Sequence, residues 1–298
     1  MRSGSSGMNG PRPDMDFTPV RNGMDYLSSA VVHLAPTPYP SRARPISDRE
    51  LKYAVLHLQA ATEVLLKARL VREHWSLVFK DPGKATRSAF EQGKFESCSM
   101  NATMDRLADI ANVPITPKQR AAITDLAETR NALTHYGHTA NAYAVEARAV
   151  TVLNFLLDFV PLHLHPVLSS EAEFVEESMR ALALEVRRIE SLVKKRMQEL
   201  AGELQGLEER TVICPQCRQW AVVVGGDPIV CRFCLASWEP NSAALLYWND
   251  VLRGEFEALA TDPCGCGDDL VLLADTAANM TEDVGLCFAC GTLYERKA

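Results

Sequence analysis

The sequence predicts a mainly α-helical protein that ends in two small β-rich units, and three observations support this fold class. Apolar residues recur at helical spacing through most of residues 48–210. Eight of the nine cysteines fall in paired clusters after residue 213. Short runs of β-branched and small residues flank the first cluster, as expected for hairpin strands. With 47% hydrophobic and 23% charged residues, the 298-residue chain has the composition of a globular protein of two or three domains.

Residues 1–47 are predicted to form a disordered arm. They are rich in Pro, Gly and Ser, with prolines at positions 11, 13, 19, 36, 38, 40 and 45. No hydrophobic period is apparent there, and such segments bury too little apolar surface to fold. The opening MRSGSSG has the composition of a cloning scar.

A helical bundle is predicted over residues 48–165. Its first helix has Ser47 as cap and ends near Phe79, before the breaker Asp81-Pro82-Gly83. The second helix is expected over residues 101–111. The third has Thr116 as cap with Pro117 at its first position, and it ends at Gly137. The fourth covers residues 141–159, where Pro161 stops it.

A long, heavily charged fifth helix is predicted over residues 170–208, within a unit spanning 166–210. Its apolar stripe could pack against the bundle or face a partner, including a second copy of the chain. Basic residues such as Arg187 and Lys195 are interleaved with glutamates, which is typical of a solvated helix face and does not require nucleic acid.

The eight clustered cysteines have the spacing of two metal sites. The first unit reads CPQC, 13 residues, CRFC; the second reads CGC, 20 residues, CFAC. Zn²⁺ accepts four thiolates in a tetrahedron, which closes the coordination shell and indicates structural sites. The predicted ligands are Cys214, Cys217, Cys231 and Cys234, then Cys264, Cys266, Cys287 and Cys290. The ribbons are expected at residues 211–240 and 261–298, joined by a helix at 241–260.

Two alternatives remain for these cysteines. A redox dithiol would explain one CxxC, although not four pairs in series, and ligation could interleave the two units. The remaining cysteine, Cys98, is interpreted as a small buried apolar residue.

Charge distribution bears on what the ribbons could bind. Residues 1–210 hold 26 basic and 26 acidic residues, whereas residues 211–298 hold 5 and 12, which accounts for the whole net charge of −7. Nucleic-acid binding normally needs cations against phosphate. The acidic ribbons therefore favour protein binding or domain stabilisation, and a third option is that they compete for a cationic site on the helical region.

The segment RNALTHYG, residues 130–137, carries the residues best suited to chemistry. Asn131 and His135 are four apart and share a helix face, while Arg130 lies about 140° around the helix from His135. An arginine can stabilise the charge of a phosphorane and a histidine can transfer protons. The same pattern also occurs as ordinary surface residues.

These residues resemble the HEPN superfamily, all-α domains with an RxxxxH motif late in a helix. Arg130 through His135 match the motif, and AVLHLQAATEVLLKARL (residues 54–70), with Glu63 and Lys67, resembles that family's opening helix. REHWSLVF (residues 72–79) and DRLADIANV (residues 105–113) are similar to bacterial members. The resemblance covers about residues 48–160, and Ala132 departs from it, standing where many members have a second basic residue.

The resemblance implies a metal-independent endoribonuclease of toxin–antitoxin or phage-defence systems, in which 2′-hydroxyl attack leaves a 2′,3′-cyclic phosphate. It implies a homodimer with a composite site. His135 would be the acid or base, Arg130 the phosphate clamp and Asn131 an orienting residue. Glu63 could hold Arg130 across helices, or pair with Lys67 on its own helix.

Other functions stay open: a non-catalytic HEPN module that binds RNA, a nucleotide or a protein, or a zinc-ribbon adaptor whose helices only dimerise. The expected partners of the nuclease are RNA, a second copy and possible antitoxin or regulatory proteins, with no membrane. No secretory signal or long apolar run is evident, so a cytoplasmic location is expected.

Overall fold

The computed structural model describes residues 17–35, 46–136, 139–254, 264–267, 271–279 and 284–294. Within these ranges the chain is mainly helical, as predicted, and its strands are confined to the C-terminal part. The helices are α1 Pro19–Leu34, α2 Asp48–Glu73, α3 Arg87–Glu91, α4 Met100–Asp109, α5 Pro117–His135, α6 Ala142–Phe159, α7 Ala172–Val186, α8 Glu190–Leu204 and α9 Pro240–Asp250. The strands are β1 Thr211–Ile213, β2 Trp220–Val223, β3 Ile229–Cys231, β4 Ser237–Trp238, β5 Val271–Ala274, β6 Val284–Cys287 and β7 Leu293–Tyr294.

Helix α1 corrects the prediction of a disordered arm over residues 1–47. Thr18 caps the helix and Pro19 occupies its first turn, where a missing N–H costs nothing. The stripe Val20, Met24, Leu27, Val31 and Leu34 is fully buried in the common core. Apolar residues at this spacing were therefore present between the proline clusters. Residues 1–16 and 36–45 lie outside the described ranges.

Helix α2 begins at its predicted cap, Ser47, but ends at Glu73, earlier than expected. His74 leaves the helical backbone with φ −161° and ψ 134°, and its Nδ1 accepts a hydrogen bond from the Ser76 N–H at 3.3 Å. The chain then forms a 3-10 turn over Trp75–Val78. The short helix α3 follows and was not predicted.

Helices α5 and α6 pack against each other and against α2. Thr116 and Gln119 form a capping box at the start of α5, as the Thr116-Pro117 pair indicated. Helix α5 ends at His135, and residues 137–138 lie outside the described ranges. Asn141 caps α6, which widens into a π turn at Val160–Leu164, where Pro161 cannot donate a backbone hydrogen bond.

One helical stretch, Ala142–Val167, is long and apolar enough to cross a membrane by length and composition. Half of its most apolar part is buried, and residues such as Leu153, Leu156 and Phe159 pack into the protein core. The apolar residues of this stretch therefore also form part of the packed core.

The predicted long helix over residues 170–208 is instead two helices, α7 and α8, separated at Arg187–Ile189. Ile189 adopts extended backbone angles and is 2% exposed, so the chain turns in order to bury it. Helix α7 packs against α1, whereas α8 packs against α6. A single straight helix could not keep both apolar stripes on the core.

The C-terminal units are antiparallel sheets of orders β1-β2-β3-β4 and β5-β6-β7. They contact one another directly, because the Gly225 N–H donates to the Phe288 carbonyl at 3.0 Å. Gly225 has φ +87°, and a Cβ there would lie 2.9 Å from the Cys290 backbone. The connecting helix predicted over residues 241–260 is shorter, because α9 ends at Asp250; residues 255–260 lie outside the described ranges.

Candidate functional sites

The first four cysteines converge on one point at the tip of the β1–β4 sheet. All four Sγ atoms lie within 4.8 Å of one another, with Cys214 3.8 Å from Cys234 and Cys217 3.7 Å from Cys231. A tetrahedron with metal–sulfur bonds of about 2.3 Å has edges of about 3.8 Å. The group therefore fits a tetrathiolate metal ion. All four candidate ligands of this group come from the first unit, so the alternative in which ligation interleaves the two units is wrong.

Electrostatics at the first group favour a bound cation. Hydrogen bonds from Cys217, Cys231 and Cys234 lower the pKa of the Cys214 thiol, whereas its neighbours raise the pKa of Cys217. Burial raises the pKa of Cys231 above its usual value. Because buried thiolates disfavour one another, a cation bound among them would stabilise the fully deprotonated set.

The second four cysteines also form one group, which is more open to solvent. Cys264 lies 3.5 Å from Cys290, and Cys266, which is exposed, lies 3.7 Å from Cys287. The Tyr294 hydroxyl donates a hydrogen bond to Cys264 Sγ at 2.8 Å and lowers the pKa of that thiol to about 6. Burial raises the pKa of Cys287 to about 12. Tyr294 was not predicted as a site residue, since no spacing rule links it to Cys264.

The first ribbon is tied to the helical bundle through Arg196 on α8, which is 3% exposed. Its Nε donates to the carbonyl of Phe233, within the CRFC turn. Its Nη1 donates to Asn154 Oδ1 at 2.7 Å and its Nη2 to Asp158 Oδ1 at 2.6 Å, both on α6. One side chain thus joins the metal-binding turn to two helices.

The network extends from Arg196 to the start of α5. Asn154 Nδ2 donates to Glu199 Oε2 at 2.8 Å, and the Glu199 carboxylate also pairs with Lys195 at 3.2 Å and Lys118 at 3.5 Å. Burial acts to raise the pKa of Glu199, but the hydrogen bond and charge of Lys195, with Lys118, hold it below its usual value. The carboxylate is therefore charged near neutral pH.

The RxxxxH segment occupies the last two turns of α5. Arg130 is half-buried and its Nη1 donates to the Asn131 Oδ1 at 3.0 Å, while Asn131 and His135 are exposed. On ideal geometry His135 lies about 180° around the helix from the buried Leu126, and Arg130 about 40° from it. Asn131 and His135 therefore face solvent, whereas Arg130 lies at the edge of the packed face.

Glu63 forms an ion pair with Lys67 and not with Arg130. Its carboxylate accepts from Lys67 Nζ at 2.7 Å, the i,i+4 alternative, and Lys67 also donates to Ser97 at 2.9 Å. Across the described ranges no ion pair joins Glu63 to Arg130. The structure therefore gives no support to Glu63 as a residue that holds the arginine.

No family model matches the chain, and no curated protein or solved structure matches it either. The functions assigned to the two kinds of site therefore rest on their own residues. The cysteine groups offer complete ligand sets for metal ions. The α5 segment offers an exposed imidazole and, on another side of the helix, a half-buried guanidinium bonded to Asn131.

Proposed function

We propose that this chain is an endoribonuclease whose active centre forms at the end of α5, with structural zinc ions in its two C-terminal ribbons. The observation that carries the proposal is the exposure of His135 and Asn131 on the last turns of α5, with the Arg130 guanidinium bonded to Asn131. An exposed imidazole, with a half-buried guanidinium at the edge of the packed face, can meet a phosphodiester without displacing core residues. The HEPN resemblance of residues 48–160 supports the same function.

The reaction would be an internal transesterification. The ribose 2′-oxygen attacks the adjacent phosphorus while a base removes its proton, and the bond from phosphorus to the 5′-oxygen breaks as an acid protonates that oxygen. The products are a 2′,3′-cyclic phosphate and a 5′-hydroxyl end. His135 would act as the base or the acid, and Arg130 would stabilise the charge on the phosphorane.

Two copies of the motif are needed for this chemistry. One His135 cannot readily serve as both base and acid in the same step, and Arg130 stays charged near neutral pH. Arg130 and His135 also point to different sides of α5, so one protomer would not place both on one phosphate. A homodimer that pairs two α5 ends would supply both groups.

The zinc ions are proposed to hold the ribbons together and to take no part in cleavage. A tetrathiolate set suits Zn²⁺ because it leaves no ligand position open. Cysteines that serve as zinc ligands must stay reduced, which suits a reducing compartment, so we place the protein in the cytoplasm, as an RNA-cleaving toxin or phage-defence effector.

The test uses zinc-loaded protein with labelled single-stranded RNA in buffer containing EDTA, and the zinc content is measured again after the assay. Cleavage with cyclic-phosphate ends is expected, and Arg130→Ala and His135→Ala should each abolish it. His74→Ala is the matched control, because its Nδ1 bonds only locally to Ser76. Intact RNA with the unsubstituted protein, or cleavage that survives both substitutions, would contradict the proposal.

A second candidate is a non-catalytic RNA- or protein-binding adaptor. It is favoured by the position of Glu63, whose carboxylate binds Lys67 and leaves Arg130 without that support. RNA binding that depends on Arg130 but never leads to cleavage, in a protein that is dimeric by light scattering, would establish this alternative.

A further inference from the structure

A cleft of about 280 Å³ opens beside the proposed active centre. Its walls come from the start of α2, the end of α5 and the start of α6, through Asp48, Lys52, Leu133, Thr139 and Val145. On ideal geometry Leu133 lies about 60° around α5 from Arg130 and about 160° from His135, so the cleft opens on the Arg130 side of the helix. The volume falls just below the roughly 300–1,000 Å³ typical of pockets for drug-sized ligands. It therefore suits one planar heterocycle rather than a larger molecule.

The interior of the cleft is apolar and its edge carries two opposite charges. Val145 is 5% exposed and Leu51, which also lines the cleft, is 6% exposed. Asp48 and Lys52 are four residues apart on α2, the spacing at which such residues often pair. No ion pair joins them, and within the described ranges neither has an ion-pair partner at 4.0 Å or less. A carboxylate acceptor and an ammonium donor are thus both available to a ligand.

We propose that this cleft binds one base of single-stranded RNA next to the scissile phosphate, an inference that rests on the proposed nuclease function. The base would lie against Leu133 and Val145. Asp48 would accept a hydrogen bond from an exocyclic amino group, and Lys52 would contact the neighbouring phosphate. Guanine, adenine and cytosine carry such an amino group, whereas uracil does not. A base paired inside a duplex cannot enter the cleft.

Two tyrosines beside the cleft provide surfaces for the flanking bases. Tyr136 follows His135 and is 90% exposed, and Tyr143 follows the cleft residue Ala142 and is 77% exposed. Stacking on an aromatic ring is sequence-tolerant and does not depend on salt in the way that phosphate contacts do. Because residues 1–210 carry balanced charge, stacking rather than ion pairing should dominate RNA affinity.

Fluorescence anisotropy with 5′-labelled hexanucleotides tests the inference, using the zinc-loaded full chain carrying His135→Ala so that RNA stays intact. Oligonucleotides of A or C should bind about fivefold tighter than oligo-U, through a hydrogen bond to a charged acceptor. Adding Asp48→Ala should remove this preference, because it removes the acceptor, and adding Lys52→Gln should weaken all oligonucleotides alike. Asp109→Ala, an exposed change at the end of α4, is the matched control and should alter neither property.

The possible outcomes separate the cleft from the nuclease. Preference for amino-bearing bases that vanishes in Asp48→Ala supports the cleft, even if the unsubstituted protein never cleaves RNA. Equal affinity for oligo-U and oligo-A, or equal affinity for a duplex, overturns the cleft while leaving cleavage by His135 untouched. Suppose that Tyr136→Ala and Tyr143→Ala abolish dimers, but the resulting monomer binds RNA as tightly as before. The stacking role of the two tyrosines is then wrong.

Discussion

The guanidinium of Arg196 donates a hydrogen bond to the backbone carbonyl of Phe233, and its Cζ lies 5.5 Å from the centroid of the Phe233 ring. Phe233 lies between the ligands Cys231 and Cys234, so the cation contacts the metal-binding turn itself. The contact makes the first ribbon part of the helical core.

Replacing Arg196 with Met should destabilise the whole protein by about 3 kcal/mol, because Asp158, Asn154 and the Phe233 carbonyl would lose a buried donor. The measurement is urea unfolding followed by circular dichroism. Arg187→Met, on the exposed turn between α7 and α8, is the control and should change stability by less than about 0.5 kcal/mol. Equal effects of the two substitutions would show that the buried contact is not important.

The purified chain should hold two zinc ions, measured by mass spectrometry of the metal. Cys217→Ser should lose one ion and lower the unfolding temperature, since a structural metal contributes directly to folding. Cys98→Ser should keep both ions, because the Cys98 Sγ contacts Thr103 Oγ1 at 3.2 Å and lies in neither group. Retention of two ions by Cys217→Ser would contradict the ligand assignment.

Tyr294→Phe should weaken metal binding at the second group by about 10- to 100-fold, because it removes the hydrogen bond that orients Cys264. The Tyr294 hydroxyl lowers the pKa of Cys264 to about 6, so this thiolate persists above that pH and is lost as the pH falls through it. In the variant the loss should begin at higher pH. Chelator competition between pH 5 and 8 measures both effects, and Tyr136→Phe, which is exposed, is the control.

Gly23→Ala should destabilise the protein by about 1–2 kcal/mol, because the new Cβ would lie 2.6 Å from the Leu65 side chain between α1 and α2. Gly202→Ala on α8 meets no described atom within 4 Å and should stabilise by up to about 1 kcal/mol through helix propensity. Thermal unfolding compares the two. Opposite signs are expected, and a stabilising Gly23→Ala would show that α1 does not pack closely on α2.

Glu63→Gln should leave RNA cleavage within about twofold and cost less than about 0.5 kcal/mol of stability, because Glu63 is in an i,i+4 pair with Lys67. Initial cleavage rates and urea unfolding are the measurements. A large loss of cleavage with unchanged stability would restore Glu63 as a residue of the active centre.

Local signals predicted the features that depend on local geometry. The caps Ser47 and Thr116, the start of α6 near residue 141, and the cysteine groups follow from residues close together in the sequence, or from ligand chemistry that requires four thiols. The position of α1 was missed because surrounding prolines outweighed its apolar stripe. The α7–α8 bend depends on which surfaces the two stripes bury, and charge pattern alone does not encode that choice.

The long-range polar contacts could not be predicted from spacing. Arg196 and Phe233 are 37 residues apart, and Tyr294 and Cys264 are 30 apart. Each was visible in the sequence only as a charged or aromatic residue among many. The proposed active centre takes Arg130 and His135 from two copies of the chain. A single sequence does not specify how those two copies would pack.

The link between Arg196 and Phe233 also bears on the order of events during biosynthesis. Helix α8 leaves the ribosome before the CRFC turn exists, so Arg196 has no carbonyl partner until the first ribbon has been made. Until then, the side chains on α6 that can pair with the Arg196 guanidinium are Asn154 and Asp158. The nascent helical bundle would therefore reach its final packing only after translation of the ribbon and capture of its ion. With the proposed zinc ions as its metal, the chain would accumulate in a zinc-starved cell with helices that are complete but not fixed in their final packing.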